Sequence, residues 1–252
     1  MRDDGKHEVV TVLQRVDLND RVAVEPSASL QVEGFHGDTI VRSALEQLAD
    51  RAGVEPRWRA RIWKTIPLAA GLGGGSTDAA TALRLANSLL ASPLPPAELE
   101  KVAASVGADV PFFLRPGPQL GTGDGSTLSP LDLPQDYWVV LVLPAKVQKE
   151  STAVVYRHFD ERSGEVGYEG RRLALLDALG AVRGPLSLAA LPPGDLASSP
   201  LAADLVDHGA FRAGVSGAGP TVYGLFLNRS DADAAARAFS TKGSTWITQP
   251  CR

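Results

Sequence analysis

Pro67-Leu68-Ala69-Ala70-Gly71-Leu72-Gly73-Gly74-Gly75-Ser76-Thr77-Asp78-Ala79-Ala80 is the stretch on which the reading of this chain turns. Four glycines in five positions (Gly71, Gly73, Gly74, Gly75) leave the backbone uncovered and open to positive φ. Two hydroxyls, Ser76 and Thr77, follow at once, and an Ala- and Leu-rich stretch then reads as a helix from about Ser76 to Leu90, stopped by Ser92-Pro93. Bare backbone running into a helix N-terminus suits a phosphate, because free N–H groups face the anion and the helix dipole favours negative charge there. A phosphorylated ligand, above all a nucleoside triphosphate, is therefore the expected partner of Pro67–Thr77. A flexible linker fits less well: an apolar, strand-like run, Trp58–Ile66, precedes the loop, and a sharp helix start comes after it.

Two familiar phosphate motifs are excluded by spacing. The P-loop needs a lysine beside the hydroxyl residue, and none stands there. The dinucleotide fingerprint needs Gly or Ala at the place Ser76 holds when counting from Gly71 and Gly73.

Working outward, Val9–Leu18 and Arg21–Glu25 read as strands joined by a turn at Asn19-Asp20. Apolar residues at Ile40, Val41, Ala44, Leu45 and Leu48 lie on one helical face, with Asp38 or Thr39 as cap. A short helix spans Ala97–Val106 and ends at Gly107. The second half opens on a buried strand, Trp138–Leu143, ended by Pro144. Helical patterns come next at 151–159 and 171–179, and residues 181–200 read as loops and short turns. A strand pair brackets Ser216-Gly217-Ala218-Gly219-Pro220. A helix at 230–240 and a strand at Thr245–Ile247 close the chain. Mixed without regular alternation, these elements predict an α+β fold.

Bulk properties narrow the function. The 252 residues can form one large domain or two smaller ones. A net charge of −4 argues against a general nucleic-acid binder, so a phosphate site must be local. No stretch reaches the roughly 18 uninterrupted apolar residues of a membrane span, and the charged N-terminus has no signal-peptide core. Together with a lone cysteine, Cys251, these features point to a cytoplasmic protein. His36, His158 and His208 are scattered and read as surface or structural residues rather than metal ligands.

Gly107-Ala108-Asp109-Val110-Pro111-Phe112-Phe113-Leu114 is the second informative segment. An aspartate between a glycine and an apolar run is expected to be buried and to have a task, since a buried carboxylate is costly. It could cap a short helix, or accept or orient a substrate hydroxyl during phosphoryl transfer. Three glycine turns lie far apart, at 71–75, Gly121–Gly125 and 217–219. Each can be an ordinary hairpin, and spacing alone does not say which of them meet on one ligand.

Taken in order, these segments resemble the GHMP kinase superfamily. Pro67–Ala80 is similar to its phosphate-binding motif and Val215–Val222 to its C-terminal glycine motif. Gly107–Leu114, Asp4–Glu8 with Thr11–Gln14, and Ser151-Thr152-Ala153 with Tyr156 are closest to the branch whose acceptor is a cytidine-diphosphate-linked methylerythritol, an isoprenoid precursor. The resemblance implies a two-domain α+β fold, with residues 1–135 and 136–252 as the domains and the active-site cleft between them. It implies that ATP is held by Pro67, Leu68, Ala69, Ala70, Gly71, Leu72, Gly73, Gly74, Gly75, Ser76 and Thr77, with Gly217 and Gly219. Ser76 would lie near Mg2+, Asp109 would be catalytic, and His7, Lys6 and Thr152 would bind a small-molecule acceptor. The enzyme would be a monomer or homodimer with neither nucleic-acid nor membrane partners.

Two departures qualify this expectation. The family's Pro-x-Lys-x-Asn strand, with its catalytic lysine, is not among these 252 residues, whose Asp4–Glu8 already match the segment that follows it; a degenerate protein and a mis-assigned start both fit this. Lys6 stands where the family has a tyrosine that stacks on cytosine, and a lysine has no aromatic face. Another alcohol acceptor, homoserine- or mevalonate-like, and nucleotide binding with weak or no kinase activity therefore stay open.

Overall fold

The computed structural model describes residues 7–34, 40–145 and 152–251. In chain order these form β1 (Val9–Leu13), β2 (Arg15–Val16), β3 (Arg21–Pro26), β4 (Gln31–Glu33), α1 (Ile40–Ala52), β5 (Trp58–Trp63), α2 (Gly74–Ser88) and α3 (Pro96–Val106). Then come β6 (Gln119–Gly123), β7 (Thr127–Pro130), β8 (Trp138–Pro144), α4 (Thr152–Glu161), α5 (Tyr168–Gly180) and α6 (Pro200–Asp207). The last elements are β9 (Arg212–Val215), β10 (Val222–Phe226), α7 (Arg229–Phe239), β11 (Gly243–Thr248) and β12 (Pro250–Cys251). Helices and sheets are mixed as the α+β reading requires.

The chain divides into two units that sequence order alone would not draw. The first holds residues up to Leu13, Leu18–Leu68 and Gly73–Leu131; the second holds Gln14–Asp17, Ala69–Leu72 and everything from Asp132 onward. The glycine loop is thus shared. It leaves the first unit after Leu68 and returns at Gly73.

In the first unit, β3 and β4 flank β5, antiparallel and parallel respectively, and β1, β6 and β7 form an antiparallel sheet. On β5 the alternation buries Trp58, Ala60 and Ile62. The helical period on α1 buries Val41, Ala44, Leu45, Leu48 and Ala49. These residues pack with Ala79, Ala80, Ala82, Leu83 and Ala86 of α2 and with Leu99, Val102 and Ala103 of α3 in one core. Small alanines on α2 let neighbouring backbones approach closely, so the helix after the glycine loop is held by its buried face.

In the second unit the antiparallel order β11-β8-β10-β9 places β8 and β10 inside the sheet, and Val139, Val140, Leu141 and Val142 are all buried. The core beneath joins Val140, Val142, Val222 and Phe226 to Leu205 of α6 and to Ala232, Ala235, Ala236 and Phe239 of α7.

The structure differs from the sequence expectations at several places. Val9–Leu18 is not one strand: it breaks at Gln14, whose side-chain amide donates to the Cys251 carbonyl and to Gln135, while β2 pairs with β12. The strand expected over Trp58–Ile66 ends at Trp63, because the amides of Thr65 and Ile66 turn to the Asp20 carboxylate. Helix α6 begins where only loops were expected to end; its signals were Ser199, which caps it, and Pro200 in its first turn. The cap expected at Asp38 or Thr39 lies outside the described residues, as does His36.

Candidate active site

Helix α2 starts at Gly74, two residues before the sequence expectation, and its N-cap is Gly73 in the left-handed region (φ 68°) with no side-chain cap. A helix N-terminus leaves its first N–H groups without intrahelical acceptors, and Gly73, as N-cap, has no side chain to take one. Thr77 N–H is the first to turn back, bonding the Gly73 carbonyl at 2.9 Å. Ser76 lies in the first turn, half-buried. A side chain at Gly73 would meet the Phe113 ring at 2.8 Å, so the motif Gly107–Leu114 packs against the end of the glycine loop.

The middle of the loop is held by the C-terminal glycine turn. Ser216 Oγ donates to the Gly71 carbonyl at 2.8 Å, and Thr221 N–H donates to the Ala70 carbonyl at 3.2 Å. Gly71 has φ 76°, and a Cβ there would overlap the Gly219 carbonyl, so only glycine fits. Of the three glycine turns, therefore, the first and last come together. The middle one, 121–125, is the β6–β7 hairpin, with Gly125 N–H bonding Thr122 at 3.1 Å and Asp124 bonding Ser126. The last turn is also a hairpin, between β9 and β10.

Asp109 sits between α3 and the 3-10 turn Pro111–Leu114. The structure corrects its expected burial: the residue is exposed, and the N-cap of the turn is Val110, not Asp109. An exposed carboxylate remains solvated, so the cost argued for a buried one does not arise. His7 is half-buried and lies just before β1 in the first unit; Thr152 is exposed and opens α4 in the second. Lys6 and the start of the helix expected from 151 lie outside the described residues. Gly217 (φ 56°) is exposed and Gly219 (φ 79°) is buried.

Beside the loop lies a charged cluster that sequence reasoning missed. Lys64 Nζ bonds the Asp78 carboxylate at 2.7 Å and also pairs with Asp20. The two aspartate side chains are each 1% exposed and that of Lys64 15%. Burial pushes the Asp78 carboxyl up to about 6, against the hydrogen bond and charge of Lys64, while nearby Asp20 adds to the rise. Burial alone would lower the Lys64 ammonium, but its bonds to Asp20 and Asp78 outweigh this and leave it raised. The signal available in the sequence was a lysine inside an otherwise apolar run, Ile62-Trp63-Lys64-Thr65-Ile66, which needs a buried partner.

Comparison with known proteins bears on this arrangement. Residues 39–117 match the GHMP kinases N terminal domain and residues 199–245 the GHMP kinases C terminal. A 4-diphosphocytidyl-2-C-methyl-D-erythritol kinase of Salinispora arenicola is 36% identical over 95% of this chain and 82% of its own length. Its namesake in Geobacter metallireducens is 34% identical over 100% of this chain and 92% of its own. A crystal structure of 4-(cytidine 5'-diphospho)-2C-methyl-D-erythritol kinase superposes with a TM-score of 0.78 at 29% identity, covering 100% of this chain and 93% of the other. A mevalonate kinase crystal structure, at 13% identity, shares the fold with a TM-score of 0.79.

Proposed function

Because the chain belongs to the GHMP kinases, we propose that it transfers the γ-phosphoryl group of ATP to the 2-hydroxyl of 4-diphosphocytidyl-2-C-methyl-D-erythritol. The observation that supports it most is the loop 67–77, whose uncapped helix start and side-chain-free backbone suit a polyphosphate. The acceptor is inferred from near-full-length relatives named for that alcohol, which leave homoserine- or mevalonate-like acceptors and binding without catalysis unfavoured.

In this reading Pro67–Thr77 wraps the phosphates, with Gly217 and Gly219 beside the loop, and residues 1–135 and 136–252 are the two GHMP domains. Asp109 accepts or orients the proton of the attacking hydroxyl, from an exposed position on a turn. His7, Lys6 and Thr152 bind the acceptor. The uncapped α2 N-terminus and the Ser76 hydroxyl on its first turn fit a magnesium-bound polyphosphate. Magnesium, when bound, neutralises charge on the transferring phosphoryl group. Among the described residues no helix is long and apolar enough to cross a membrane.

The test is ATP-dependent phosphorylation of the cytidyl alcohol by the wild-type chain beside Asp109→Asn. Turnover is expected to fall by about 10²–10⁴-fold, the usual worth of a positioned general base, with ATP affinity retained. Equal turnover by the two proteins would remove Asp109 from the mechanism.

A further inference from the structure

We propose that Lys64 is a positioning residue for the phosphate loop, acting through Asp20 and Asp78 to pin both ends of the loop to one another. The inference rests on reading 67–77 as the ATP loop and adds what keeps that loop in shape.

The geometry is local to the first unit. Asp20 receives the amides of Thr65 (2.5 Å) and Ile66 (2.8 Å), the last residues before Pro67, and so fixes the entry to the loop. Asp78 lies on the second turn of α2, just past the exit, and is buried. Lys64 bonds both carboxylates, at 2.7 Å to Asp78, so a single ammonium ties entry to exit. Packing reinforces the tie: a Cβ on Gly74 would lie 3.0 Å from Ile66 Cγ2 and 3.3 Å from Lys64 Nζ, so the two ends are already in close contact.

The tie has a loop worth holding. Between the pinned ends, Ala69 (φ 56°), Gly71 (φ 76°) and Gly73 (φ 68°) all take positive φ. Ala69 is a non-glycine residue in a sparsely populated region, which persists where the surroundings over-determine it. A loop free to relax would point fewer amides at a phosphate. Two carboxylates, each 1% exposed, are buried against the Lys64 ammonium, and burying ion pairs is a poor way to gain stability. The arrangement is better explained by orientation than by folding free energy.

The proposal separates from a purely structural role through Asp78→Asn. This change keeps the shape and still lets the side-chain oxygen accept from Lys64, while it removes one buried negative charge. At pH 7.5 the melting temperature is expected to hold or rise, whereas ATP affinity, measured by calorimetric titration of ATP, should weaken about threefold, because a charge-assisted bond becomes an ordinary one. Lys64→Met, which cuts the tie, should weaken ATP binding about tenfold or more. The KM for the cytidyl alcohol should stay within about twofold in both variants. Unchanged ATP affinity in Asp78→Asn overturns the proposal even if Lys64→Met does not fold, and so does a fall in melting temperature with ATP affinity unmoved. If the wild type binds ATP without phosphorylating the cytidyl alcohol, the acceptor assignment fails, while the ATP titrations still decide for or against the tie. If the wild type does not bind ATP, the reading of the loop fails and the proposal fails with it.

Discussion

The ends and the middle of the glycine loop are held by different kinds of chemistry. At its ends, in the first unit, Lys64 is clamped by Asp20 and Asp78, three charged and largely buried side chains. At its middle, in the second unit, the contacts are neutral: the Ser216 hydroxyl on the Gly71 carbonyl, the Thr221 amide on the Ala70 carbonyl, and the close approach of Gly71 to Gly219. An ionic clamp is strong but titrates and pays for burial, whereas a neutral one is insensitive to pH and depends on shape. The comparison teaches that a loop proposed to receive a highly charged ligand is shaped by uncharged contacts at its middle. Charge is kept to the anchors beyond it.

The largest expected effect breaks the neutral side. Gly71→Ala places a methyl group against the Gly219 backbone at a φ that alanine disfavours, and neither neighbour is the flexible end of a side chain. The loop must move, and kcat/KM for ATP should fall about 100-fold or more, consistent with the cost of small misplacements in positioned sites. The helical circular-dichroism signal should persist, because the core of α1 and α2 is untouched. Breaking the ionic side through Lys64→Met comes next, with ATP binding weakened about tenfold. A weaker probe of the neutral side is Ser216→Ala, which removes one hydrogen bond of ordinary worth, about 0.5–1.5 kcal/mol. The KM for ATP should rise about two- to tenfold. The ratio of mutant to wild type should be flat from mildly acidic to mildly alkaline pH. A sloping ratio would show that the two clamps are not independent.

The smallest effect sharpens the contrast through stability. The folded-state value of Asp78, about 6, lies above its ordinary 3.8. The folded chain therefore holds this proton more tightly than the unfolded one, and the resulting stability is present in full below about 3.8 and is lost as pH rises through about 6. Measured by denaturant unfolding, wild type should lose stability relative to Asp78→Asn between about pH 4 and 6, and the difference should level off above. A difference that stays constant, or grows in favour of wild type, contradicts the burial argument.

Much of this was legible before any coordinates. The glycine run, the helix after it, the buried strand Trp138–Leu143 and the family motifs all announce themselves locally, through turn chemistry and through the strand and helix periods. The less legible features depend on partners distant in sequence. Asp20 read as a turn residue and Lys64 as part of a strand, because nothing near either one shows that they meet. Asp109 read as buried because its neighbours are apolar, yet the turn that carries it sets it outward. Val9–Leu18 read as one strand because alternation does not reveal that its two halves pair with different partners, Gln119–Gly123 and Pro250–Cys251.

What the sequence by itself determined was a glycine loop running into a helix and the family to which the chain belongs, because glycine's freedom and a helix start act over a few residues. Only the tertiary structure decided how that loop is held: that Gly71 meets Gly219, and that one lysine joins two aspartates 14 and 44 residues away. The physical reason is that hydrogen bonds, ion pairs and steric contacts act over a few ångströms of space, whatever the distance along the chain.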